Sequence, residues 1–187
     1  GSELAANGSA GMAMLVTQLA TAAAVVAWLA VEWVVSGKPT AVGAATGAVA
    51  GLVAITPASG SCGPMGAILI GLASGAACYL TATTMKRKLG YDDSLDVFGV
   101  HGIGGIVGAV LTAVCMAPAL GGSAGEDFNM ISQLSVQVKS ILVTIIWSGV
   151  VAGVILAVLK ATIGLRVDEG DEERGLDQTE HNESAYE

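Results

Sequence analysis

Five apolar runs, each long enough or nearly long enough to cross a bilayer, constrain this chain more than any other feature. A helix needs about 20 mostly apolar residues to span roughly 30 Å of hydrocarbon. Runs near Met12–Val35, Thr40–Ile55, Met65–Met85, Asp96–Met116 and Val136–Ile163 meet or approach that length. The second is short, rich in Ala and Gly, and closes at Thr56-Pro57, where proline stops helix propagation. Composition agrees: 53% of residues are hydrophobic and only 13% charged, against about a quarter charged in ordinary soluble domains. The expected fold is an all-α membrane protein of five transmembrane helices. A nucleic-acid binder, a disordered linker and a disulfide-stapled secreted domain are excluded. The first run lacks a preceding basic stretch and is too long for a signal peptide.

The formal charge of -8 is unevenly placed. Asp168, Glu169, Asp171, Glu172, Glu173, Asp177, Glu180, Glu183 and Glu187 all follow Leu165, opposed there only by Arg166 and Arg174. The chain therefore divides into a nearly neutral membrane region, residues 1–163, and an acidic soluble tail, residues 164–187. With five spans, Lys38, Lys86, Arg87, Lys88, Lys160, Arg166 and Arg174 share one side, leaving only Lys139 opposite. The positive-inside rule places that side, and the tail, in the cytoplasm and the N-terminus outside. A cell-membrane, multi-pass location follows.

Glycines recur four apart at Gly43-Gly47-Gly51, Gly71-Gly75, Gly104-Gly108 and Gly149-Gly153. Each set forms a stripe along which backbones can approach closely. The run His101-Gly-Ile-Gly-Gly-Ile-Val-Gly108 follows no strand and breaks the dinucleotide spacing, so it reads as helix packing.

Ionisable groups inside spans default to functional candidates. His101 lies five residues into the fourth span, about 7–8 Å along the helix, sharing its face with Val97, Phe98, Gly104 and Gly105. It is either a neutral ring satisfied by a neighbouring helix or an imidazole lining a narrow apolar lane. In the latter case one nitrogen donates, the other accepts, and the ring can exchange protons near neutrality. No second histidine lies in a span, and no cysteine or carboxylate stands at ligand spacing from His101. Neither an enzyme, a metal site nor a cofactor is expected. Asp96 reads as the N-terminal cap of its span, and Asp92-Asp93 as solvated loop residues. Glu32, between Trp28 and Trp33, reads as a snorkelling interfacial carboxylate. Thr144, Trp147 and Ser148 read as interhelical glue, and Thr17, Gln18 and Thr21 as glue or pore lining. Cys62, Cys78 and Cys115 are expected as free thiols.

These residues together resemble a known family. The run Asp96-Val-Phe-Gly-Val-His101-Gly-Ile-Gly-Gly-Ile-Val-Gly108 resembles the tenth-helix motif of bacterial ammonium transporters. Further matches, in order, are the Gly37-Lys-Pro39 turn, Gly47-Ala-Val-Ala-Gly-Leu-Val-Ala-Ile-Thr-Pro-Ala58 and Leu89-Gly-Tyr-Asp-Asp-Ser-Leu95. The tail matches at Gly164–Val167, Glu173–Asp177 and Glu180–Tyr186. The resemblance implies eleven spans, two inverted five-helix repeats plus a last long helix, in a homotrimer. This chain resembles helices seven to eleven: one nearly complete repeat plus the final helix. It implies ammonium transport: outside recruitment, deprotonation, and ammonia conduction through an apolar pore lined by paired histidines, of which His101 matches the second. Val97 is then part of the pore wall, with Asp96, Thr56, Phe98 and Gly104 structural beside it. Ser2 matches the recruitment serine, provided that Gly1-Ser2 is native rather than a cloning scar. The tail, through Arg166, Gly175, Leu176, Asp177 and Tyr186, resembles the element that takes part in docking the PII signalling protein. The implied partners are ammonium or ammonia, the lipid bilayer, two further copies and PII, with no nucleic acid. An ammonium sensor and an inactive truncated fragment are the alternatives.

Overall fold

The computed structural model describes residues 3–184, and the described residues contain helices and turns without strands. Ser2 and Tyr186 lie outside the described residues. The chain divides into two compact units, residues 1–141 and 142–187.

In the first unit α1 covers Gly8–Ser36, α2 Ala41–Ile55 and α3 Pro64–Leu80. A π turn, Thr81–Met85, and the short α4, Lys86–Leu89, continue α3 without a break. A second π turn, Phe98–Gly102, opens α5, Ile103–Cys115. Among the described residues, four helical segments are long and apolar enough to cross a membrane: Gly8–Ser36, Pro64–Leu89, Phe98–Cys115 and Met130–Thr162. The second expected span is real as a helix, but at 15 residues it falls short of that length. Its ends are set locally. Thr40 Oγ1 accepts from Gly43 N at its start, and Pro57 follows its end. The first and last spans begin earlier than the hydrophobic runs do. Asn7 caps α1 by accepting from Ala10 N at 3.0 Å, and α6, Met130–Thr162, starts before Val136.

α1 packs against α2 and α3, and α5 against the same two helices from elsewhere on their surfaces. The core is built of small side chains: Ala20, Ala24, Ala50, Ala54, Ala58, Ala67 and Ala113 are buried. Three of the four glycine stripes explain why. A Cβ on Gly51 would stand 2.7 Å from the Ala20 carbonyl oxygen, and one on Gly75 3.0 Å from the Ala24 Cα. One on Gly108 would stand 2.7 Å from the Ala54 carbonyl carbon. These are backbone contacts that a methyl group would break. Lipid tails give helices no hydrophobic reason to associate, so such close van der Waals packing supplies the attraction. The fourth stripe, Gly149-Gly153, has no neighbour within 4 Å.

One polar side chain here is placed differently from the sequence expectation. Glu32 does not snorkel: it is buried, and its carboxylate accepts from Thr40 N at 3.1 Å and from Thr40 Oγ1 at 2.9 Å. It thereby fastens the last turns of α1 to the start of α2, which a carboxylate facing water could not do. Next to it Trp28 meets Tyr79 edge-on at 5.4 Å, and Ser36 Oγ lies 3.0 Å from Tyr79 Oη. Thr17 and Thr21 donate to their own helix, to the carbonyls of Ala13 and Thr17.

At the opposite end, Ser123 N donates to the Ser61 carbonyl and Gly63 lies against Gly121, so the 117–125 loop covers the turn before α3. Cys62 and Cys115 are buried there as free thiols, and Cys78 is free in the core. Burial, then the nearby Cys115, pushes the Cys62 thiol up to about 11, despite a bond from its own backbone.

The second unit comprises the rest of α6 and the tail. No residue of α6 is buried, and Trp147 is exposed, so the expected packing role of Trp147 is not seen among the described residues. Gly164, at φ +86°, ends α6 in the left-handed conformation that glycine adopts without penalty. The tail forms α7, Glu169–Arg174, and α8, Leu176–Thr179.

Candidate functional site

His101 sits on the second π turn, and the turn has two sides. On the inner side, Gly99 rests on the first π turn: a Cβ there would stand 2.9 Å from Ala82 N and 3.0 Å from Ala82 Cα. Val100 is 2% exposed, and its carbonyl faces the Cys78 Sγ at 3.8 Å. On the outer side His101 is exposed, and Val97 and Phe98 are each 50% exposed. A π turn holds one more residue than a regular helical turn and is found frequently at functional sites. Here it lets Gly99 and Val100 face inward in succession while the imidazole points away from the bundle. Gly104, one turn on, faces inward, where an added Cβ would stand 3.1 Å from Cys78 Sγ and 3.5 Å from Val53 Cγ1. His101 and Gly104 therefore lie on opposite sides, contrary to the shared face that regular helical spacing predicts.

The start of this helix is also built differently. Asp96 does not cap it. Asp93 does, its two carboxylate oxygens accepting from Val97 N at 2.8 Å and Phe98 N at 2.9 Å. Asp93 is thus a structural cap rather than a solvated loop residue. Asp96 instead receives Lys86 Nζ at 2.8 Å and adopts φ +55°. Tyr91 packs edge-on against Phe98 at 5.8 Å, closing the loop over the turn.

Thr56 lies elsewhere, at the end of α2, where its hydroxyl donates to the Leu52 carbonyl at 2.7 Å. With Thr17, Met14 and Leu52 it lines an open hollow of about 830 Å³ between α1 and α2. In the tail, Arg166 binds Glu172 through two hydrogen bonds of 2.8 Å. That guanidinium holds the Glu172 carboxyl below its ordinary value. Gly175, at φ +97°, forms the break between α7 and α8, Leu176 is partly exposed, and the Asp177 carbonyl accepts from Glu183 N at 2.8 Å.

Of the expected residues, the structure gathers Asp96, Val97, Phe98 and His101 in one turn. It keeps Thr56 apart in the hollow, and it arranges Arg166, Gly175, Leu176 and Asp177 in the separate tail unit. Lys86 and Asp93 were not singled out from sequence as parts of the site. Asp93 carries a local signal, an Asx residue just before a helix start. Lys86 pairs with a residue ten positions away and carries none.

The long apolar helices among the described residues define an all-α membrane protein. The comparisons narrow that class. The Ammonium Transporter Family profile matches residues 1–186, and the chain belongs to that family. It is 49% identical over 186 residues to the ammonium transporter of Aquifex aeolicus, all of this chain and 44% of that protein. It is 41% identical to the ammonium transporter of Bacillus subtilis, all of this chain and 46% of that protein. Among solved structures, a sensor Amt protein aligns with TM-score 0.83 at 30% identity, over 93% of this chain and 42% of that one. Saccharomyces cerevisiae Mep2 aligns with TM-score 0.75 at 34% identity, over 83% and 39%. The chain thus spans less than half the length of these relatives.

Proposed function

We propose that residues 1–187 supply one wall of an ammonium-conducting pore, whose facing wall comes from the remaining length that the relatives possess. The observation that carries this reading is the outward-facing His101, flanked by half-exposed Val97 and Phe98 on a face that this chain leaves open. A narrow lane between such walls rejects hydrated cations, because stripping water from a charge in an apolar setting is costly. An ammonium ion gives up its proton to water at the pore mouth, forming hydronium there, and neutral ammonia passes. A neutral imidazole suits that passenger: its protonated nitrogen donates to the ammonia lone pair, and its other nitrogen accepts an ammonia N–H. Val97 forms part of the apolar wall, Phe98 and Gly104 support the turn, and Ser2 contributes a hydroxyl to recruitment outside.

The orientation follows the basic residues, with Lys86, Lys160 and the tail in the cytoplasm and the N-terminus outside. The membrane part is residues 1–163 and the tail, residues 164–187, is regulatory, with PII as its partner beneath a homotrimer. The folding of α7 and α8, with Glu172 of α7 held by Arg166, supports a defined docking element over a solvated tail. A sensor role is the second reading, favoured by the likeness to a sensor Amt protein.

The test is a complete transporter carrying residues 1–187, with His101→Ala, in liposomes. Selective ammonium flux is expected in the wild type and is lost, or joined by potassium leakage, in the variant. Unchanged ammonium flux with unchanged potassium exclusion would refute the pore role. Ammonium binding without flux in the wild type would favour the sensor.

A further inference from the structure

We propose that the Lys86–Asp96 ion pair is a positioning device for His101, and through it a determinant of how strictly the pore excludes metal cations. The inference rests on the reading of His101 as a pore residue.

Lys86 follows the first π turn directly, and Asp96 stands two residues before the second. The turns are clamped together at two points. One is the glycine contact, where Gly99 meets the Ala82 backbone so closely that a methyl group would collide at 2.9 Å. The other is the ion pair, Lys86 Nζ to Asp96 Oδ1 at 2.8 Å, with the two side chains 28% and 31% exposed. His101 lies two residues beyond the first clamp and five beyond the second. Any hinge-like parting of the two turns therefore moves the imidazole.

Three details assign Asp96 this task rather than a local one. Both oxygens of Asp93 already satisfy the free amides of Val97 and Phe98, so the carboxylate of Asp96 is not needed as a cap. Asp96 also holds φ +55°, a conformation that among side-chain-bearing residues Asp and Asn tolerate best. Such a backbone persists where its surroundings over-determine it, and the Lys86 contact is the side-chain anchor there. Finally, Tyr91 lies against Phe98, so the loop from α4 returns its chain to the same place. With Asp93 intact as the cap, loss of the ion pair leaves the helix able to fold, and the effect is one of placement.

The experiment uses a complete transporter carrying residues 1–187 and the variants Lys86→Met, Asp96→Asn, their double and Lys86→Arg. Asn keeps the backbone preference of Asp and removes the charge. Two readouts are taken: amide hydrogen exchange over residues 99–102 in the purified protein, and the potassium-to-ammonium permeability ratio in liposomes. Lys86→Met and Asp96→Asn are each expected to raise both by up to about five-fold, the weight of a partly exposed ion pair. The double variant should add nothing to either single one, and Lys86→Arg should remain near wild type. Unchanged exchange in Lys86→Met overturns the proposal whatever transport does. So does altered selectivity in Asp96→Asn with Lys86→Met at wild type, because Asp96 would then act on the ion directly. Faster exchange with an unchanged permeability ratio overturns the link to selectivity. A wild type without ammonium flux refutes the pore reading instead, while exchange still reports on the clamp.

Discussion

Replacing Gly108 with alanine tests whether α5 is placed by backbone contact, and the structure sets the size of the effect. The new Cβ would stand 2.7 Å from the Ala54 carbonyl carbon and 2.8 Å from its Cα. Ordinary van der Waals contact between carbons needs about 3.5–4.0 Å, so α5 and α2 must part by about 1 Å. Neither atom belongs to a side chain that could rotate away. Overpacking of this kind costs about 1–3 kcal/mol, and a contact between two backbones belongs in the upper half of that range. Alanine recovers about 1 kcal/mol of helix propensity over glycine. The net expectation is a loss of about 1–2 kcal/mol. Gly105→Ala is the matched control, since nothing lies within 4 Å of the Cβ it would add. It should leave stability unchanged or raise it. The assay is reversible unfolding of the 187-residue chain in detergent micelles, comparing the two variants on the same helix. Gly108→Ala as stable as Gly105→Ala would refute the backbone-contact argument. Gly108 is seven residues from His101, about 10 Å along the same helix, so the displacement also reaches the imidazole.

Other outcomes are expected from the same physics. Glu32→Ala should lower stability by about 1–3 kcal/mol, the net weight of two hydrogen bonds at about 0.5–1.5 kcal/mol each, here from Thr40 N and Oγ1. Glu32→Gln should lose less, as its amide oxygen still accepts, and thermal unfolding measures both. A loss near zero for Glu32→Ala would mean that the side chain faces water. In the tail, Arg166 lowers the Glu172 pKa below its ordinary 4.5. The pair's support for α7 is therefore fully present above that value and is lost as pH falls through the lower folded-state value. Amide protection factors over Glu169–Arg174, with the intrinsic pH dependence of exchange divided out, should hold constant from neutral pH to about the ordinary carboxylate value of 4.5, fall below it, and lose the Arg166-dependent part of that fall in Arg166→Met.

The relation between sequence and structure differs from element to element. Helix class, four of the five expected spans and the acidity of the tail were legible because they depend on local quantities: run length, hydropathy, and the sign of charge near each run. Individual packing surfaces at Gly51, Gly75 and Gly108 were also legible, since four-residue spacing places small residues on one helical stripe whatever surrounds it. The family resemblance rested on local motifs too, and Asp96–Gly108 carried His101 with it.

Side-chain partnerships were not legible. Glu32 looked interfacial because its neighbours in sequence are tryptophans, yet its partner Thr40 arrives only when the chain turns at Gly37 and brings α2 back alongside α1. Asp96 looked like a cap by position, until the loop placed Asp93 over the same amides and Lys86 over Asp96. The direction of His101 depended on a π turn, which hydrophobic periodicity at a fixed 3.6 residues per turn cannot express. Sequence alone determined that this chain is helical, apolar enough to cross a membrane, glycine-packed and carries a histidine within one of its apolar runs. Tertiary structure decided which way that histidine faces and which residues pair beside it. A side chain's direction and its ion-pair partner depend on how separate helices meet, and that geometry is set by contacts between residues far apart in the chain.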